Sequence, residues 1–287
     1  MLKQPLQTLL ATAFAATLGS ASAAPLKVEV FNPGEAAIFP VASVLVSGTK
    51  DAVLIDAQFS RGEALKLVEQ IRASGKRLTT VYVSHGDPDF YFGLDVIHAA
   101  FPEAKIVATS YTVAAIEKKK DAKVAFWGPI LKDNAPHSII VPQVLQGDRI
   151  ELEGETLQIT GPQPERSYVW IPSIKTVAGG VVVFNDLHVW TADTQTAASR
   201  QQWLATLDGI AALQPATVVP GHYKVGSALT PASIGFTRDY LVKFEAETAA
   251  AANSAALIER MQLLYPQAGL KAALDTSAKV AKGEMKW

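Results

Sequence analysis

The chain has 287 residues, with 26 Lys+Arg against 27 Asp+Glu, five His, no Cys and 49% hydrophobic residues. A net charge of −1 lacks the electrostatic attraction on which nucleic-acid binding rests, and the one basic run, Lys118-Lys119-Lys120, is too short to restore it. The chain is too apolar to be disordered, and without thiols any metal site must be built from His and carboxylates.

Lys3, the apolar residues 7–18 and the small-residue site Ala21-Ser22-Ala23 read as a secretory signal peptide cut after Ala23. The apolar stretch is shorter than the roughly 20 residues that span a bilayer, so a periplasmic or secreted protein with no membrane span in its mature form is expected. Three short strands follow, Leu26 to Phe31, Phe39 to Val46 and Asp51 to Asp56, each bounded by turn residues such as Asn32-Pro33-Gly34. Residues 61–74 carry Ala64, Leu67, Val68 and Ile71 at helical spacing and stop at Gly75. Thr79 to Ser84 is a strand, 85–93 a polar and aromatic loop, and Leu94 to Ala100 a helix; Lys105 to Thr109 and Val113 to Phe126 repeat the strand-helix order. From Ile150 the chain is strand-rich: Ile150 to Leu152, Leu157 to Thr160, Tyr168 to Ile171, and Thr176 to Phe184 as one strand. Residues 196–213 are helical, Ala216 to Val219 is a short strand, and the Ala-rich segment after Thr230 has helical spacing. Two blocks of strands and helices, with sheet packed on sheet and helices outside, predict an α/β four-layer αββα sandwich over 24–230, with 231–287 as a helical extension packed on it.

Three strand ends carry the residues suited to chemistry. His85-Gly86-Asp87-Pro88-Asp89 holds one imidazole and two carboxylates directly after an apolar strand, a donor set for zinc, iron or manganese, although a turn uses the same Gly-Asp and Asp-Pro pairs. Val219-Pro220-Gly221-His222 delivers a second His from a strand end, and Asp186 and His188 leave a third, on one face if the extended conformation persists. His98 on a helix and His137 in a polar connector look ordinary.

These segments together resemble the metallo-β-lactamase-fold hydrolases over most of residues 26–225. In their H-x-H-x-D-H-x-G-G signature His85 matches the first His, Asp89 the Asp and Gly93 the final Gly; His222 matches the last His of the P-G-H segment, and Asp56 an Asp that orders the loop beneath the metal. The departures are as specific. Asp87 stands for the second His and Phe90 for the third; the G-H-T-P-G segment reads Gly161-Pro162-Gln163-Pro164-Glu165, and the bridging Asp is replaced in Gly179-Gly180. A normal dinuclear zinc centre is not expected.

The resemblance implies a site for one divalent cation, zinc ahead of iron or manganese, held by His85, by Asp87 as a replacement ligand, by His222 and by either Asp89 or the non-family His188; Asp89 would be ligand or general base, and either Asp186 or His188 is open as the substitute for the bridging Asp. Such a protein would hydrolyse an ester, lactone or amide, with Tyr91 and Trp190 against the substrate. The competing expectation is a ligand-binding relative with no metal, its mouth walled by aromatics. A glycosidase using Asp87 and Asp89 ranks last. The expected partner is a small molecule, and the C-terminal helices offer a face for a homodimer.

Overall fold

The computed structural model describes residues 25–287, so the expected signal peptide lies outside the described residues. The first sheet contains β1 (Lys27–Phe31), β2 (Ser43–Ser47), β3 (Asp51–Ile55), β4 (Arg77–Val83), β5 (Lys105–Ala108) and β6 (Gln143–Val144), in that spatial order. Strands β1 to β3 pair antiparallel and β3 to β6 parallel. The second sheet is ordered β12 (Thr217–Val218), β10 (Thr176–Ala178), β9 (Tyr168–Ile171), β8 (Glu155–Thr160) and β7 (Arg149–Leu152). A separate parallel pair joins β11 (Phe184–Asn185) to β13 (His222–Tyr223).

Alternation along the strands sorts the side chains into layers. From β2 and β3, Val46 and Ile55 face the second sheet and meet Leu157, Val169 and Ile171, whereas Leu45 and Leu54 face Leu67 and Ile71 of helix α1 (Arg61–Ala73). A one-residue slip would exchange the two sets, so the register is tightly specified. Helix α1 starts where the sequence supplies a capping box: Ser60 Oγ accepts from Glu63 N–H and the Glu63 carboxylate accepts from Ser60 N–H. Helices α2 (Pro88–Tyr91), α3 (Leu94–Ala100) and α4 (Ser110–Leu131) complete the first half. Helices α5 (Ala197–Ala212), α6 (Ala232–Ala250), α7 (Ser254–Leu264) and α8 (Lys271–Ala281) share one core on the outer face of the second sheet, where Trp203, Leu207, Tyr240, Phe244, Leu257 and Leu274 are buried together. The αββα order expected from the sequence is the order found. No helix among the described residues is long and apolar enough to cross a membrane.

Three differences bear on the site. The strand expected from Phe39 starts at Ser43, because Val41 and Ala42 pair with the His222 turn instead. The loop 85–93 contains the short helix α2, which Pro88 opens at a position where its missing N–H costs nothing. The strand expected to run from Thr176 to Phe184 breaks at Gly179-Gly180, both at positive φ, where a Cβ on Gly180 would stand 2.3 Å from the Ser167 carbonyl oxygen.

Candidate active site

The site is assembled where β4 ends. Asp56, in the left-handed conformation just after β3, accepts the Ser84 N–H at 2.7 Å and the Ser84 hydroxyl at 2.6 Å, and Ser84 Oγ accepts the Gly180 N–H at 2.8 Å. This relay ties both sheets together directly before His85. Phe90 O accepts from Ala57 N–H, and Gly93 N–H donates to Gln58 O, so α2 is held against the β3–α1 loop. A Cβ on Gly93 would stand 2.1 Å from Ala57 O, which accounts for glycine there. Burial raises the Asp56 carboxyl from 3.8 to about 8, outweighing the two Ser84 hydrogen bonds, with the nearby Asp89 charge adding to the rise.

A stability prediction follows from that shift. The folded protein holds this proton more tightly than the unfolded chain, so Asp56 stabilises the fold fully below 3.8 and the contribution is lost as pH rises toward about 8. Asp56→Asn cannot titrate. Between those limits the wild-type Tm is expected to fall with pH relative to that of the variant; parallel Tm curves would refute the assignment.

His85, Asp87, Asp89 and His222 line one cavity of about 420 Å³. His222 Nε2 lies 3.2 Å from Asp89 Oδ2, with both side chains nearly buried, and His222 Nδ1 is buried without a partner. His85 Nδ1 accepts the Asp87 N–H at 3.2 Å, which places the neutral ring's proton on Nε2. The Asp87 carboxylate lies 3.5 Å from both His85 Nδ1 and Lys123 Nζ. The four groups therefore stand as two pairs. Phe90, fully buried, packs edge-on against both imidazoles, with centroids 5.3 Å from His85 and 5.6 Å from His222.

The other sequence candidates divide between the cavity and the rest of the fold. Trp190 lines the cavity, but Tyr91 is buried in the first-sheet core against Phe92. The extended conformation does not persist past β11: Asp186 turns to positive φ and points to solvent, where its carboxylate accepts from Ser227 Oγ. His188 is thereby carried under the C-terminal helices, with Nδ1 3.1 Å from Tyr240 Oη, and burial lowers it to about 4, Lys271 adding to the effect. Neither lines the cavity. His98 and His137 are exposed and away from the cavity. Residues with no motif complete the wall: Arg166, Lys123, Trp127 and Phe184, and Trp287, whose ring meets Trp190 at 4.8 Å and whose Nε1 donates to Asp193 at 2.8 Å. No spacing in the sequence marks them, because they arrive from separate elements.

A family model described as the metallo-beta-lactamase superfamily matches residues 37–222. The chain belongs to the metallo-beta-lactamase superfamily. Among solved structures, a metallo-beta-lactamase family protein from Thermus thermophilus is similar at a TM-score of 0.62 and 15% identity, covering 90% of this chain and 91% of that one. The metallo-beta-lactamase DIM-1 is similar at 0.54 and 18% identity, covering 77% and 99%, and a metallo-beta-lactamase from Pontibacter korlensis at 0.53 and 16%, covering 80% and 97%. No curated protein matches the sequence. At these identities the likeness extends to the fold.

Zinc is typical of the superfamily, but this chain's donors do not fit a cation site. Among the described residues no three His, Asp or Glu side chains are placed to share a metal ion, whereas zinc takes at least three protein ligands. Two causes are visible: His188 is turned away by the break at Asp186, and Phe90 fills the space against both remaining imidazoles. Of the expected set, His85, Asp87, Asp89 and His222 share the cavity, and His188 stands outside it against Tyr240. Phe90→His should restore what the phenyl ring displaces, adding a third imidazole beside His85, His222 and Asp89. In calorimetric titration with Zn²⁺ the variant is expected to bind about one equivalent and the wild type none; identical isotherms would sink this account.

Proposed function

We propose that the protein is an exported hydrolase that cleaves an ester, lactone or amide bond of a small molecule, with Asp89 as the general base. The observation that carries this reading is the Asp89–His222 pair, 3.2 Å apart on the cavity wall and shielded from bulk water. His222 Nε2, beside Asp89 Oδ2, holds the carboxylate in its direction. A water beside Asp89 gives its proton to the carboxylate as its oxygen bonds to the substrate carbonyl carbon. The bond to the leaving oxygen or nitrogen then breaks, and that atom takes the proton back from Asp89, so ester and water become acid and alcohol. His85 Nε2–H is a donor for the carbonyl oxygen as negative charge grows on it.

A second reading, a ligand-binding relative without turnover, is favoured by the separation of the four polar groups into two pairs around Phe90. One assay separates the two. The mature protein is incubated with p-nitrophenyl acetate and with a short-chain lactone, with and without chelator. Turnover above the buffer rate, unchanged by chelator, is the expected result. No turnover would leave the binding reading, and chelator-sensitive turnover would return the activity to a bound cation.

A further inference from the structure

Resting on that hydrolase reading, the geometry points to Arg166 as an anion-holding group, and we propose that the substrate is a planar organic acid whose carboxylate docks on this guanidinium while its labile bond lies at Asp89–His222. Arg166 lines the same cavity, yet it is more than nine-tenths buried. Its guanidinium lies 3.6 Å over the Trp203 ring; Nη1 donates to Val181 O at 3.4 Å and Nη2 to Thr194 Oγ1. Those bonds use two of the five N–H groups and supply no negative charge.

No carboxylate among the described residues lies within salt-bridge distance of Arg166. The nearest acids, Asp193 and Glu165, stand at the exposed rim of the cavity, where they offset only part of the cost of burying the guanidinium and form no ion pair with it. Burial correspondingly lowers the Arg166 pKa to about 10. A buried cation without a counter-ion is costly, and a ligand carboxylate supplies both the charge and acceptors for the unused N–H groups.

The remainder of the cavity defines the rest of the molecule. Trp127, Phe184, Trp190 and Trp287 offer ring faces and edges to an apolar, flat body. The cavity lining carries Asp87, Asp89, Glu165 and Asp193 against Lys119, Lys123 and Arg166, so there is no excess of cations for a dianion, which favours a carboxylate over a phosphate.

The test compares cinnamate with cinnamamide, which differ in charge and not in shape, by calorimetric titration of the full mature chain. Cinnamate is expected to bind at least about tenfold more tightly, and Arg166→Lys, which keeps the charge but not the planar fork, to weaken cinnamate by about tenfold with little effect on the amide. Circular dichroism melts of wild type and variant show whether the variant folds. The wild-type comparison decides even if it does not: equal affinity for the pair, or binding of neither, overturns the proposal, as does unchanged cinnamate affinity in a folded variant. Selective cinnamate binding without ester turnover would leave the Arg166 site standing and remove only the hydrolase reading.

Discussion

Asp89→Asn is expected to lower kcat for p-nitrophenyl acetate by about 10²–10⁴-fold, the usual worth of a positioned general base. Asn has the same shape and keeps an oxygen beside His222 Nε2, 3.2 Å away in the wild type, so the contact on the cavity wall survives while the proton acceptor is lost. KM should change little, because Asp89 contributes to the reacting step more than to holding the substrate. His222→Gln keeps a donor toward Asp89 and should therefore be milder. If Asp89→Asn retained wild-type kcat, the base would have to be sought elsewhere on the cavity wall. If both variants lost activity only together with their melting transition, the pair would be structural.

Trp203→Ala should have the largest effect on stability, about 3–5 kcal/mol, as for other fully buried tryptophans. Trp203 is fully buried on α5, and its Nε1–H donates to Val182 O at 2.8 Å, so truncation leaves both a cavity and an unpaired carbonyl oxygen. It also removes the ring on which Arg166 rests, leaving the buried guanidinium with fewer partners. Against a typical total of about 5–15 kcal/mol this is a large fraction, and urea denaturation should show a clearly lower midpoint. Trp203→Phe keeps a ring under Arg166 and should recover part of the loss. A midpoint unchanged in the alanine variant would mean that the helix layer does not depend on this side chain.

These residues also show how far sequence reading reaches. Asp89 is legible because its neighbours stand at fixed spacing after an apolar strand, and short-range order converts that spacing into position. Trp203 and Arg166 belong to separate elements, and nothing local in either segment announces that one will lie on the other. His188 illustrates the opposite error: alternation along a strand predicts its face correctly only while φ stays negative, and the positive φ at Asp186 ends that rule. Gly179-Gly180 likewise reads as part of a β-rich run, and only the close approach of Ser167 and Ser84 shows why the strand must stop there.

The sequence by itself determined the layer order, the helix that stops at Gly75 and the two strand ends that deliver His85 and His222, because periodicity and turn residues act over a few positions. Only the tertiary structure decided which side chains share the cavity. Phe90 touching both imidazoles, the pairing of Asp89 with His222, and the buried Arg166 beside them all depend on contacts between residues remote in the chain. Those contacts are set by how two sheets and their helices pack, which no local pattern encodes.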